Sequence, residues 1–177
     1  MSDIRTEIGG SKSTLWNYFS SKEDLFAAVM KTATDRMTGQ IKALARIEGD
    51  ARGSLERFCS AYIQTIVSDE AIAMHRLVIG EVHRFPQIGQ TFFGDAVETV
   101  WLILADFLRQ LFPDNDRIDR TPTDAAELLT SLCHGRSFLR RIYGVGDKPA
   151  PDDIEDDAHV AVTTFLRALA IPEYRAR

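Results

Sequence analysis

Side chains that can form hydrogen bonds are concentrated near the N-terminus, between residues 11 and 22. Gly9 and Gly10 end a short predicted helix, because glycine readily adopts the left-handed backbone that closes a helix, and Ser11 can cap the next one. On this second helix Leu15 and Phe19 are four residues apart and face a core, so the polar side chains around them point outward. Their hydroxyl, amide, amine and indole groups are suited to contact phosphates or base edges.

Two interpretations of this surface stand at this point. In the first, the helix enters the major groove of DNA, where Lys12 and Asn17 meet bases. In the second, Trp16 and Tyr18 pack on neighbouring helices and Lys12 is a solvated charge. Composition alone favours the second interpretation.

A nucleotide-binding loop is a third possibility for Gly-Gly-Ser-Lys-Ser, because that motif ends in Gly-Lys-Ser or Gly-Lys-Thr. Ser11 occupies the place of the glycine before the lysine, and Thr6 occupies the place of the earlier glycine. No predicted strand precedes the segment. The sequence therefore argues against a nucleotide triphosphatase.

The segment from Ile8 to Phe26 resembles the helix-turn-helix signature of the TetR family of transcriptional regulators, typically A-G-V-S-K-G-T-L-Y-x-Y-F-x-S-K-E-x-L. Gly10 stands where a small apolar residue is usual, and Ser13 replaces the usual glycine. Family members carry a further amphipathic helix before this point, so the resemblance implies that the first helix is absent here. The DNA-contacting residues that it implies are Ser11, Lys12, Ser13, Thr14, Trp16, Asn17, Tyr18, Ser21 and Lys22.

Composition fits an ordinary globular protein, because hydrophobic residues make up 45% of the 177-residue chain. The net charge of −5 argues against indiscriminate coating of nucleic acid. Residues 1–46 carry a balance of +2, whereas the remainder carries −7, as expected for a basic contact module on an acidic body. Neither a signal sequence nor an apolar run of the roughly 20 residues that span a bilayer is present, which predicts no membrane partner and a cytoplasmic location.

Helical spacing of apolar residues predicts an all-α protein. One long helix should run from Glu23 to Leu44 and connect the N-terminal module to the body. Later helices are expected around residues 55–66, 72–86, 91–112, 122–143 and from 152 to about 169. We therefore expect two domains: residues 1–46, a helix-turn-helix domain with its connector helix, and residues 47–177, a helical ligand-binding and dimerisation domain.

The second domain resembles the family's ligand-binding body, which encloses an apolar cavity for a small-molecule effector. Large residues on the helices that would surround such a cavity are the candidates for its lining, and two histidines are candidate polar groups. Each residue taken singly is more typical of a packed core. The candidate ligand-binding residues are Phe58, Tyr62, Met74, Ile79, His83, Trp101, Phe107, His134 and Phe138.

The last two helices are apolar over more surface than a monomer requires, notably at Leu128, Leu139 and Val160. By resemblance they form a four-helix interface in a homodimer. The alternative is that they close the monomer's own core.

Catalytic and metal chemistry have little support in the sequence. The four histidines lack the paired spacing of metal ligands, and no nucleophile motif occurs. Cys59 and Cys133 lie in apolar helical contexts, which predicts buried thiols rather than a disulfide. We expect no cofactor, no metal and no enzymatic activity.

Together these features predict a ligand-responsive transcriptional repressor that binds a roughly palindromic double-stranded DNA operator as a homodimer and is released by a small apolar effector. The alternative is a helical small-molecule-binding or dimerisation protein that has lost DNA binding.

Overall fold

Helices account for all the regular secondary structure in the computed structural model, which describes residues 18–19, 21–113, 115–116, 118 and 121–169. This confirms the all-α prediction within the described residues. No described helix is both long and apolar enough to cross a membrane. The helices are α1 (Lys22–Leu44), α2 (Ala51–Ile66), α3 (Asp69–Glu81), α4 (Pro86–Phe92), α5 (Thr99–Leu111), α6 (Pro122–Cys133), α7 (Arg136–Ile142) and α8 (Pro151–Ala168), with a π-helical segment, Phe93–Glu98, between α4 and α5.

Short polar side chains fix where the first three helices begin. Ser21 Oγ accepts a hydrogen bond from the backbone N–H of Asp24 at 3.0 Å, so α1 begins at Lys22, one residue before the predicted start at Glu23. Asp50 caps α2 and Ser68 caps α3 in the same way. Helices α6 and α8 instead begin with a proline, whose missing N–H costs nothing in the first turn.

The main core lies between α2, α5, α6 and α8, whose facing side chains form one buried hydrophobic cluster. Phe58, Phe107 and Phe165 are its largest fully buried members. Cys59 and Cys133 belong to it as buried free thiols, which confirms that prediction. The hydrogen bond between the two thiols, together with burial, raises the pKa of Cys59 well above its ordinary value.

A second, smaller hydrophobic cluster joins α1, α3 and α4. Met30, Val78, Ile88 and Phe92 are its buried residues, together with Ala96 of the π-helical segment. The two clusters meet at α1, where partly buried Met37 packs against both. The connector helix is therefore held by two separate groups of side chains.

Three predicted helices differ from the helices of the structure. The predicted helix 122–143 divides into α6 and α7, because Gly135 has a ψ of −137° that no helix accommodates. The predicted helix 91–112 begins earlier, at Pro86, and contains the π-helical segment. Helix α3 ends at Glu81, and Phe85, immediately before Pro86, is non-helical with φ −132° and ψ 79°.

Truncation of a core leucine on α5 tests this packing. Leu104 is fully buried, so Leu104→Ala should lower the free energy of unfolding by about 2–5 kcal/mol through lost burial and a residual cavity. Leu102 lies on the same helix and is 62% exposed, so Leu102→Ala should change it by less than about 0.5 kcal/mol. Urea unfolding followed by circular dichroism measures both values, and equal losses would contradict the placement of α5.

Candidate functional site

Most of the predicted DNA-contacting residues lie outside the described part of the chain. These are Ser11, Lys12, Ser13, Thr14, Trp16 and Asn17, and the side chain of Lys22 is also outside it. Tyr18 is described and is 81% exposed, as a contact residue must be. Ser21 serves as the N-cap of α1, so this predicted contact residue lies at the positive end of that helix dipole.

A cleft of about 50 Å³ lies between α1 and α3 and opens to solvent. It is at the junction of the two hydrophobic clusters, because Met37, Met74 and Phe92 belong to its walls. Polar side chains on α1 and at the α2–α3 corner complete it. Its lining residues are Ala33, Thr34, Arg36, Met37, Gln40, Thr65, Ser68, Glu70, Ala71, Met74, His75 and Phe92.

Of the nine predicted ligand-binding residues, Met74 alone lines this cleft. Phe58, Tyr62 and Phe107 are buried in the main core, where they fill space rather than enclose it. Trp101 packs beside that core, and its indole N–H donates to Thr130 Oγ1 at 3.0 Å.

Ile79 and His83 are placed away from the cleft. Ile79 is 63% exposed and His83 is also at the surface, because both lie on the solvent side of the α3 region. The expectation that these two side chains face a cavity is therefore wrong for this structure.

A line of ring contacts connects the cleft to the main core. His75 meets Phe92 at 5.1 Å and Phe138 at 5.2 Å between centroids, and Phe138 meets His134 at 4.7 Å. The line continues from His134 to Tyr62, whose centroids are 5.9 Å apart, and on to the core. We call His75, Phe92, Phe138, His134 and Tyr62 the aromatic chain. His134 and Phe138 thus flank the α6–α7 break and are linked to the cleft through His75.

His75 is one of the cleft residues that sequence analysis missed. Its Nδ1 is 2.8 Å from the backbone carbonyl of Ala71, so Nδ1 donates and Nε2 is left as the acceptor. Burial lowers the pKa of His75, opposed by the hydrogen bond to Ala71, so the ring is neutral near pH 7. A usable signal existed, because His75 stands one helical turn from both Ala71 and Val78, which are buried.

His134 is neutral for the same main reason. Burial lowers its pKa to about 4, with a smaller contribution from nearby His75 and an opposing hydrogen bond to the Thr130 backbone. Its Nε2 lies 3.5 Å from Tyr62 Oη. Burial likewise raises the pKa of Tyr62, so the phenol keeps its proton and can donate to His134. Both ends of this contact are uncharged.

Two arginines tie α3 to α7. Arg76 of α3 donates from Nη2 to the carbonyl of Arg141 at 2.6 Å and from Nε to that of Ile142 at 3.1 Å. Arg141 in turn donates from Nε to the carbonyl of Val67 at 3.2 Å and pairs with Asp69. We call this reciprocal arrangement the arginine clamp. The helix that carries His75 is therefore joined to the segment after the α6–α7 break.

Metal ligation finds no support among the described residues, where no group of three His, Cys, Asp or Glu side chains is placed to hold an ion.

The depressed pKa of His134 predicts how stability responds to acid. The unfolded state binds a proton near pH 6.5, whereas the folded state binds it only near pH 4, so folding stability falls as the pH drops between these values. At pH 4.5 the loss attributable to His134 should be about 2–3 kcal/mol. The His134→Gln variant lacks this ionisable group. Its free energy of unfolding, measured with urea, should therefore differ less between pH 7.5 and pH 4.5 than that of the wild type. The control is His83→Gln, because His83 is exposed. If His134→Gln loses as much stability as the wild type between pH 7.5 and pH 4.5, His134 is not the cause of the loss.

Comparison with known proteins identifies the family. The sequence profile described as the C-terminal domain of AefR-like transcriptional repressors matches residues 53–171, more than half of the chain. The profile described as bacterial regulatory proteins of the tetR family matches residues 1–29. No functionally curated protein matches the sequence significantly.

Two solved structures share the fold. A Mesorhizobium loti MAFF303099 protein assigned to the TetR-family transcriptional regulators superposes with a TM-score of 0.80 at 22% identity, covering 93% of this chain and 83% of that one. The flavonoid-responsive regulator FrrA superposes with a TM-score of 0.68 at 27% identity, covering 95% and 85% of the two chains. Because its larger part and its N-terminal segment match separate profiles of one family, this chain belongs to the TetR family of transcriptional regulators.

Proposed function

We propose that this regulator represses transcription by binding a roughly palindromic DNA operator as a homodimer, and that a small effector in the α1–α3 cleft releases it. The observation that carries this proposal is the position of α1. The N-terminal family match extends to residue 29 and so includes the first turns of α1, while Ala33 and Gln40 of the same helix belong to the cleft wall. A ligand that displaces α1 would therefore move the DNA-binding segment directly.

The similar proteins support two further parts of the proposal. The C-terminal match is to a repressor domain, which supports repression as the sign of control. FrrA is described as flavonoid-responsive, which supports a small molecule as the signal. We keep the division at residues 46 and 47, since α1 ends at Leu44 and α2 begins after its Asp50 cap.

DNA binding is tested by selecting preferred sequences from a random double-stranded library and measuring affinity by fluorescence anisotropy across a salt series. Trp16→Ala and Asn17→Ala should each weaken binding to the selected site by roughly 10- to 100-fold, because base contacts contribute about 1–3 kcal/mol. Lys22→Ala should weaken binding to all sequences and reduce the salt slope by about 1, because one phosphate contact is lost.

Lys148→Ala is the matched control, because Lys148 is exposed in the loop before α8 and loses the same charge. If the wild-type chain selects no sequence, DNA-dependent regulation by this chain is excluded, which leaves the alternative of a helical binding or dimerisation protein.

Dimerisation is proposed through α6 and α8 with the segment α7. Part of the apolar surface predicted here closes the monomer core, since Leu129, Val162 and Phe165 are fully buried. Leu128 on α6 and Val160 on α8 remain exposed, at 38% and 62%. These side chains are the ones available to a second copy.

Charge introduced on that surface should separate the subunits. Val160→Glu combined with Leu128→Glu should shift the mass in light scattering from that of a dimer towards the 19.9 kDa of one chain, because a buried unpaired carboxylate is costly. Leu102 on α5 is as exposed in the monomer as Val160, so Leu102→Glu is the control and should leave the mass unchanged. A wild-type mass of one chain at micromolar concentration would rule out the proposed dimer.

A further inference from the structure

Resting on the proposed effector response, we propose that the α1–α3 cleft binds a neutral aromatic ring bearing a hydroxyl group, and that this hydroxyl donates a hydrogen bond to Nε2 of His75. Three properties of the cleft carry this inference: its walls, the balance of its hydrogen-bonding groups and its capacity to widen.

The walls favour an aromatic ring over an aliphatic chain. Phe92 and His75 lie edge to face, with centroids 5.1 Å apart, and so present ring edges and faces to a third ring. Met37 and Met74 stand beside them, and thioether sulfur makes favourable contacts with aromatic rings. A planar ring inserted here would extend the aromatic chain by one member.

His75 and two threonines present hydrogen-bond acceptors to the cleft, whereas Gln40 and Ser68 of its lining can also donate. Nδ1 of His75 is committed to the Ala71 carbonyl, and Nε2 has no hydrogen-bond partner among the described residues. Thr34 donates its hydroxyl hydrogen to the Lys31 carbonyl at 3.0 Å, and Thr65 donates to Ala61 at 2.8 Å. These three groups therefore present lone pairs to the cleft, so a ligand must supply the hydrogen of any hydrogen bond to them.

The same balance disfavours an anionic ligand. A carboxylate would meet the lone pairs of His75 and of the two threonines, whereas Arg36, the cleft's one cation among the described residues, is already paired with Glu70 at 3.4 Å. Both partners of that pair are exposed, and it joins α1 to α3 at the mouth of the cleft. Exposed pairs of this kind are worth about 0–1 kcal/mol, so a neutral ligand could part them at little cost.

The cleft must widen to admit a ring, and its side chains permit this. An apolar cavity of about 150 Å³ holds benzene in another protein, whereas this cleft measures about 50 Å³. Met37 and Met74 each have three rotatable side-chain bonds and can move aside. The remaining space would come from separation of α1 and α3, which is the movement that the proposed function needs.

Methyl NMR of the full chain tests the proposal without DNA. The sequence has four methionines, two of which, Met37 and Met74, line the cleft, whereas buried Met30 does not. The wild-type chain and the variants described below are each titrated with three compounds. These are p-cresol, 4-methylanisole, in which the hydroxyl is methylated, and 4-methylbenzoate. We expect p-cresol to shift the Met37 and Met74 methyl signals selectively and to bind roughly two- to tenfold more tightly than 4-methylanisole, the range that one net hydrogen bond supplies.

Variants locate the hydrogen bond. His75→Phe keeps a ring and removes the acceptor, so the preference for p-cresol should vanish, whereas His75→Gln keeps an acceptor and should retain part of it. Surface His83→Phe is the matched control and should behave like the wild type.

Four results would overturn the proposal: no selective shift with p-cresol, equal affinity for p-cresol and 4-methylanisole, tighter binding of 4-methylbenzoate, or an undiminished preference in folded His75→Phe. If His75→Phe does not fold, an undiminished preference in His75→Gln overturns the proposal in its place. Because DNA is absent, failure here leaves the DNA-binding result standing, and failure to select DNA leaves this result standing.

Discussion

Helix α1 places Ile41 in the main core and Met30 in the smaller cluster, and the rest of the architecture depends on this double attachment. Full burial of a side chain of this size contributes roughly 1.5–3 kcal/mol to the stability of the fold. Each attachment therefore stabilises the position of α1, and a ligand could still displace it. Met37 lies between them and packs against both clusters. The cleft exists because two separately packed clusters meet along one helix without filling the space at their junction.

Burial also sets the chemistry of that junction. Desolvation keeps His75 and His134 uncharged, so the aromatic chain runs from the cleft towards the main core without a formal charge. A neutral imidazole has one donor and one acceptor, and the backbone carbonyl of Ala71 selects which nitrogen of His75 is the acceptor. The hydrogen-bonding character of the cleft thus follows from a backbone contact inside α3. In the proposed binding mode, a group that the ligand does not touch would determine which atom of His75 the ligand meets.

How much of this could be predicted from the sequence differs from one element to the next. The connector helix was predictable because apolar spacing is local, and it begins within one residue of the predicted start. The break at Gly135 and the π-helical segment were not, because neither interrupts the apolar spacing. Phe58 and Phe107 have the size expected of cavity walls, but the same size makes them the best fillers of a core, and only the three-dimensional packing distinguishes the two roles. The spacing of His75 from Ala71 and Val78 could have placed it on the buried face of α3, but spacing alone does not distinguish a cleft residue from a core residue.

The arginine clamp has a consequence for how this regulator can diversify. Arg76 and Arg141 hold the carbonyl oxygens of Arg141, Ile142 and Val67, and a carbonyl is present whatever side chain a residue carries. The joint between α3 and α7 therefore depends mainly on two arginines, with Asp69 and the His75–Phe138 ring contact beside them. Substitutions at Met74 could change which molecule the cleft accepts while the arginine clamp stays the same. A new effector specificity could then be acquired without rebuilding the joint between α3 and α7.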